Sequence, residues 1–197
     1  YVGGLAGYST GIKNCTNNSP IEITTGGEYV GGLVGYLYIK EDNFSNNINN
    51  GKVIGTSKVG GIVGYLYADH PTSKPTTITI NGNTNKNTVT GSGDKVGGII
   101  GEVLARAYTS YGTDYITYVN ISVSENESNI SGKNYVGGLI GFGTRVKVID
   151  VSQNKADING DNYVGGFVGK AENTNIFNAI NNNNITIIGG NISKIAL

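Results

Sequence analysis

Few side chains in this 197-residue chain could carry out chemistry. The chain has one histidine, His70, which precedes a proline, and one cysteine, Cys15. Zinc peptidases need an H-E-x-x-H helix, so these two residues cannot form such a site. A nucleophile paired with a histidine base and the glycine-rich phosphate-binding loops are not supported either. We therefore predict no catalytic residues, no metal and no cofactor.

Carboxylates are the remaining candidates for catalysis, since the chain contains 14 acidic residues. Glycosidases use two carboxyl groups that flank the scissile bond. Only Asp94 and Asp161 lie near equivalent positions of the repeat, and they are two coils or more apart, so we expect a protein that is not an enzyme. A carbohydrate-active β-helix enzyme, similar to a polysaccharide lyase or a glycosidase, is the alternative. Carboxylates clustered in one groove would favour it.

Composition narrows the possible folds and partners. The 32 glycines make long helices unfavourable, while the 3 prolines and the pairing of the glycines are not those of collagen. The formal charge is zero, which gives no attraction to nucleic acid. No apolar run is long enough to insert into a membrane. A single cysteine cannot form an internal disulfide.

The glycines belong to an octapeptide that occurs six times. Its copies are YVGGLAGY, YVGGLVGY, KVGGIVGY, KVGGIIGE, YVGGLIGF and YVGGFVGK, starting near residues 1, 29, 58, 95, 135 and 163. Successive copies are separated by 28, 29, 37, 40 and 28 residues. The unit is therefore 28 residues, with insertions after the third and fourth octapeptides.

Such a unit suits one coil of a parallel β-solenoid, because three short β-type segments cannot form a core alone but can stack on their neighbours. We predict an all-β, right-handed parallel β-helix of about six coils with three strands per coil. Residues 1–197 would form one domain, with a decayed seventh copy from about residue 191, and would be part of a longer protein. The glycine pair should form a bend that turns both the valine and the leucine of the octapeptide inward.

The repeated [YK]VGG[LIF][AVI]G resembles the GLUG motif, a short repeat of bacterial surface proteins that is found beside the M26 immunoglobulin A peptidase domain and in adhesin-like proteins. With the linking segments, the resemblance covers nearly the whole chain. It implies a right-handed parallel β-helix and an extracellular or cell-surface location. It also implies neighbouring repeats or domains in the same longer chain. The peptidase activity is not implied, because the zinc motif is missing.

Asparagine is clustered around residues 46–50, 81–87 and 181–184. Asparagine tolerates left-handed turns, and its amide can hydrogen-bond the same residue in the next coil of a stack. We therefore expect these residues to form turns and amide ladders rather than a binding site.

Tyrosines are the candidate binding residues. The segment GYLY occurs in two successive copies, which should stack its tyrosines about 4.8 Å apart. The insertions, around residues 69–74 and 106–118, should protrude on one side, and the second is rich in tyrosine. Exposed tyrosines offer contact area to glycans or proteins, although they could also simply cover the coil edge. The candidate ligand-binding residues are Tyr36, Tyr38, Tyr65, Tyr67, Tyr108, Tyr111, Tyr115 and Tyr118.

Together these features predict a non-catalytic structural and adhesive repeat segment of a bacterial cell-surface or secreted protein. Its expected partner is a host or cell-surface glycan or protein. An ice-binding solenoid is disfavoured, because threonine does not recur in a fixed column of the repeat.

Overall fold

The computed structural model describes residues 1–70, 72, 75–148, 152–173, 175–176, 180–181 and 185–187. These residues form six coils of a parallel β-solenoid and contain no helix, hence none that could cross a membrane. Every coil contributes one strand to each sheet, and each strand pairs in parallel with its equivalent in the next coil. The predicted fold class is confirmed. The proposed seventh copy lies outside the described residues.

Each coil has five short strands rather than the predicted three. Sheet 1 comprises Val2–Gly3, Val30–Gly31, Val59–Gly60, Val96–Gly97, Asn134–Gly137 and Asn162–Gly165. Sheet 2 comprises Ala6–Ser9, Val34–Ile39, Val63–Ala68, Ile100–Ala105, Ile140–Thr144 and Val168–Glu172. Sheet 3 comprises Ile12–Lys13, Phe44–Ser45, Thr76–Asn81, Thr113–Ser122, Val146–Val148 and Asn175–Ile176.

The remaining two sheets complete the coil. Sheet 4 comprises Thr16–Asn17, Ile48–Asn49, Thr84–Asn85, Glu125–Asn126, Gln153–Asn154 and Ile180–Asn181. Sheet 5 comprises Ile21–Glu22, Val53–Gly55, Val89–Gly91, Ile130–Ser131, Ile158–Gly160 and Ile185–Ile187. One further strand, Ala107–Ser110, is antiparallel to the start of Thr113–Ser122.

The octapeptide supplies two of the five strands, because its glycine pair turns the chain from sheet 1 into sheet 2. Val30 and Leu33 lie three residues apart, yet both side chains are fully buried. A plain strand would place them on opposite faces. The predicted bend is therefore confirmed, and it accounts for one of the two additional strands; the other is the short strand of sheet 4.

The interior is divided into two apolar cores. The smaller core lies between sheets 1 and 5 and is built from valine and isoleucine, such as Val30 and Val53. The larger core lies between sheets 2 and 3 and contains Leu33, Leu37 and Phe44. Side chains of equivalent residues are stacked along both cores, so every coil continues the apolar column of its neighbour.

A column of buried asparagines separates the two cores. Its members occupy the same position of sheet 4 in five successive coils: Asn17, Asn49, Asn85, Asn126 and Asn154. The second glycine of each of the first five octapeptides faces this column. A Cβ atom added to Gly61 would lie 2.5 Å from Cγ of Asn85 and would overlap the carbonyl oxygen of Gly98. Only glycine leaves room for the amide at this position.

Both polar atoms of each amide in this column form hydrogen bonds. Asn85 Nδ2 donates to Asn126 Oδ1 at 2.9 Å and to the carbonyl oxygen of Asn87 at 2.7 Å. Asn85 Oδ1 accepts a bond from Asn49 Nδ2 at 3.0 Å. The predicted ladder is confirmed for this column, and its satisfied polar atoms offset the cost of burying an amide.

Left-handed backbone makes the corner between sheets 3 and 4. The same corner position is occupied in successive coils by Asn14, Asn46, Gly82 and Val123, with φ angles of 55°, 56°, 64° and 47°. Asparagine and glycine adopt this conformation readily, whereas a β-branched residue is strained in it. The valine side chain is exposed, so it gains little packing in return.

Replacing Asn85 by alanine should lower the free energy of unfolding by about 2–3 kcal/mol, because it leaves buried partners in both neighbouring coils without a hydrogen bond. Urea denaturation followed by circular dichroism measures this loss. Asn50 is the matched control, since its amide bonds Asn18 at the exposed surface. Asn50→Ala should change stability by less than about 0.5 kcal/mol. Equal losses at the two sites would contradict the role of the buried column.

Val123→Asn should raise the free energy of unfolding by about 1 kcal/mol, because asparagine relieves the left-handed strain at no cost in buried area. The same denaturation assay applies. Thr88, an exposed residue without a left-handed backbone, serves as the control, and Thr88→Asn should leave the midpoint unchanged. A destabilised Val123→Asn protein would show that the valine packs in a way that this corner does not reveal.

Candidate functional site

Tyrosines on the outer face of sheet 2 lie in register from coil to coil, as the sequence predicts. Tyr8, Tyr36 and Tyr65 occupy equivalent positions of three successive strands. Their ring centroids are separated by 5.3 Å and 5.2 Å. Tyr38 and Tyr67 form a second pair two residues later, with their rings 5.6 Å apart.

The first residue of the octapeptide adds a second aromatic column beside the first. The ring of Tyr29 stacks on Tyr1 at 4.9 Å and on Tyr65 at 5.1 Å. We call the interlocked rings of Tyr1, Tyr8, Tyr29, Tyr36 and Tyr65 the aromatic seam. Tyr29 was not among the predicted site residues, although its place in the repeat was a signal that could have found it.

In the third and fourth coils, charged residues replace some of the tyrosines in these two columns. Glu102 follows Tyr65 in register and is 8% exposed. Its carboxylate lies 2.8 Å from Lys95 Nζ and 3.7 Å from Lys58 Nζ. The Lys58 ammonium also lies 4.2 Å from the ring centroid of Tyr29. Two cations thus compensate one nearly buried carboxylate, as burial of a charge requires.

The second insertion forms a β-hairpin, which we call the tyrosine hairpin (residues 107–116). Tyr108 pairs with Tyr115 across its two strands, and their rings stack at 4.7 Å with an interplanar angle of 5°. The turn residues Tyr111 and Gly112 both have positive φ, 48° and 73°, which is the requirement of a type I′ turn. Thr109 Oγ1 donates to Asp114 Oδ1 across the strands.

Ionic contacts tie the hairpin to the neighbouring insertion. Arg106 places its guanidinium 4.1 Å from the ring centroid of Tyr108 and 2.7 Å from Asp69 Oδ2. The hydroxyl of Tyr38 lies 3.4 Å from the same carboxylate oxygen. Both insertions join sheet 2 to sheet 3, so they lie on the same side of the solenoid, as predicted.

The structure brings most of the predicted site residues together, with one exception. Tyr36, Tyr38, Tyr65 and Tyr67 are half-buried on sheet 2, and the hairpin carries Tyr108, Tyr111 and Tyr115 beside them. Tyr118 lies on sheet 3, where it pairs with Thr77 and its ring is 5.5 Å from Lys147 Nζ. Only Tyr111 is fully exposed among these eight tyrosines.

Burial raises the pKa of three tyrosines on sheet 2. Desolvation raises the pKa of Tyr36, and neighbouring tyrosines add to the effect. Desolvation and the negative charge of Glu102 raise the pKa of Tyr65 well above its ordinary value of 10.0. Burial also raises the pKa of Tyr67. These rings therefore favour the neutral phenol and serve as packing and contact surface.

Within the described residues, no group of three or more histidine, cysteine, aspartate or glutamate side chains is arranged to hold a metal ion.

A scan against protein-family models found no match, and searches of curated proteins and of solved structures found none either.

The stability of the fold should fall as the pH rises above about 10, the ordinary pKa of tyrosine. The unfolded chain then releases the Tyr65 proton while the folded chain retains it, so alkaline pH favours unfolding. Tyr65→Phe should make this pH dependence shallower, as measured by urea denaturation from neutral to alkaline pH. Tyr111→Phe, at a fully exposed tyrosine, is the control and should show the same pH dependence of stability as the parent. Identical profiles for the two variants would contradict the assignment to Tyr65.

Proposed function

We propose that this chain is a non-catalytic structural and adhesive repeat segment of a bacterial cell-surface or secreted protein, and that it binds a glycan or a protein through its tyrosine-rich insertion. The observation that carries the proposal is Tyr111. It is a large aromatic residue held fully exposed, at a left-handed turn position that glycine, asparagine or aspartate occupies at lower cost. Binding to a partner would compensate for that cost.

The rigidity of the hairpin supports this role. The stacked pair of Tyr108 and Tyr115, the cation–π contact of Arg106 and the pairing of its two strands hold the turn in one conformation. A recognition element that is already ordered loses little conformational entropy on binding. Tyrosine supplies a large amphipathic contact area with few rotatable bonds, as in antibody loops.

The solenoid beneath the hairpin suits a spacer. Six coils at one strand spacing each extend for roughly 30 Å along the axis. The resemblance to the GLUG motif supports a surface location and further repeats or domains in the same longer chain. Under this proposal the coils hold the hairpin at a fixed distance from those neighbours.

One observation favours the carbohydrate-active alternative. Glu41 and Asp42 line a groove together with His70. However, the two carboxylates are adjacent in sequence, and Asp42 Oδ1 already accepts a hydrogen bond from the backbone N–H of Thr79. Glycosidases need carboxyl groups on both sides of the bond that is cleaved. We therefore rank this function second.

A glycan array and a panel of extracellular-matrix proteins test the proposal. We expect the Tyr108→Ala/Tyr111→Ala double variant to weaken at least one interaction of the parent by roughly tenfold or more, which corresponds to the loss of about 1.4 kcal/mol. Replacing residues 107–116 by an Asn-Gly turn should have the same effect, because that dipeptide closes a two-residue hairpin between Arg106 and Thr117, whose backbones are already hydrogen-bonded to each other.

Tyr163→Ala is the control for the loss of one half-buried tyrosine far from the hairpin in sequence, and it should bind like the parent. Circular dichroism verifies that each variant is folded. The proposal is wrong if both hairpin variants retain every interaction of the parent at full strength.

A further inference from the structure

The composition of the chain makes tyrosine the main target for a one-electron oxidant. The sequence has 13 tyrosines, no tryptophan, no methionine and one cysteine. Methionine and cysteine are side chains that otherwise take up an oxidant. Cys15 lies in the first coil, whereas the tyrosine hairpin lies in the fourth. An oxidant that reaches the hairpin therefore meets tyrosine rings rather than sulfur.

Two rings of the tyrosine hairpin are well placed to react with each other. The ring centroids of Tyr108 and Tyr115 are 4.7 Å apart, and the ring planes are parallel within 5°. The two residues lie directly opposite each other on paired strands, so their side chains leave the same face of the hairpin. Each ring carbon next to a hydroxyl group therefore faces its equivalent on the other ring.

The hairpin also allows the movement that a reaction between the rings needs. A bond between two ring carbons requires the stacked rings to tilt toward each other. Both rings are half-buried, and the turn that joins their strands is exposed. The rings of the aromatic seam are more restricted, because Tyr29 alone contacts the rings of Tyr1, Tyr36 and Tyr65.

We propose that Tyr108 and Tyr115 form a site of oxidative cross-linking, at which a carbon–carbon bond joins their rings as dityrosine. A haem peroxidase supplied with hydrogen peroxide removes one electron and the phenolic proton from each ring. The two phenoxyl radicals couple at the carbons next to their oxygens, and the hydrogen of each joined carbon moves to oxygen as the rings regain aromaticity. The peroxide takes up the two electrons and two protons and becomes two water molecules.

The cross-link closes the hairpin covalently, in a sequence whose single cysteine cannot form an internal disulfide. The bond spans the turn that carries Tyr111, so it holds the exposed ring in place and lowers the conformational entropy of the open hairpin. The inference rests on the proposed function in two respects. A location outside the cell exposes the chain to oxidants, and the locked turn is the proposed recognition element.

Oxidation of the folded protein by a haem peroxidase and hydrogen peroxide tests this assignment. The protein is kept at about 1 µM, because dilution favours coupling within one molecule. Trypsin together with a protease that cleaves before aspartate separates residues 107–113 from residues 114–133, unless a bond joins them. Mass spectrometry should find the two peptides joined with the loss of two hydrogen atoms, and fragmentation should place the bond between Tyr108 and Tyr115.

Tyr108→Phe and Tyr115→Phe each retain a ring for stacking but lose the phenol, so each should lower the yield of joined peptides by about tenfold or more. Tyr111→Phe and Tyr118→Phe remove the other phenols of the same two peptides. They are the matched controls and should give the yield of the parent. Circular dichroism verifies that each variant is folded.

The outcomes distinguish the fold from the sequence as the cause of coupling. Tyr111 is nearer to Tyr115 in sequence than Tyr108 is, so coupling decided by chain proximity alone joins Tyr111 instead. That result overturns the assignment, as do joined peptides that persist in both Tyr108→Phe and Tyr115→Phe, or no joined peptides at all. The measurement contains no binding partner, so its failure leaves the adhesive function intact. Loss of the adhesive function would likewise leave the cross-link intact.

Discussion

The buried asparagine column is the interaction on which the rest of the solenoid depends. Each amide must meet the amide of the next coil at hydrogen-bonding distance, which holds every coil at the same spacing and in the same register. The amide also requires glycine on the opposite wall, and that glycine pair bends the octapeptide. The bend in turn sends the valine into one core and the leucine into the other. A single polar contact, repeated along the axis, thus explains the glycine spacing, the two cores and the alignment of the tyrosines.

Much of this architecture can be predicted from the sequence, because glycine and valine recur at fixed positions while the segments between them vary. The spacing of Val30 and Leu33 predicted an inward bend, and GYLY predicted stacked rings. The five-strand coil was not predictable in the same way. A segment such as Thr16–Asn17 has only two residues and becomes a strand solely because Ile48–Asn49 pairs with it. Such strands are products of stacking, and local residue preferences do not encode them.

The surface that each residue faces, and hence the candidate site, was harder to predict, because it also depends on how the coils stack. Asn49 and Asn50 are identical neighbours in one cluster, yet the first is buried in the column and the second is exposed, and only the register decides between them. Lys58, Lys95 and Glu102 likewise replace aromatic residues of the seam, and their ion pairs become apparent only when the neighbouring coils are stacked. The turn of the hairpin is easier to recognise in the sequence, because Tyr111 and Gly112 lie between segments that alternate in polarity, a pattern typical of a tight turn.

The hydrogen bonds between coils have a mechanical consequence. They run parallel to the solenoid axis, so a tension applied between the two ends of the chain pulls successive coils directly apart. Each interface carries nearly the same set of bonds, and a coil at the end has only one neighbour to hold it. Release of one 28-residue coil would add roughly 90 Å of extended chain in place of a spacing of about 4.8 Å. A tether built in this way lengthens in steps from its ends while the remaining coils, and the surfaces they display, stay folded.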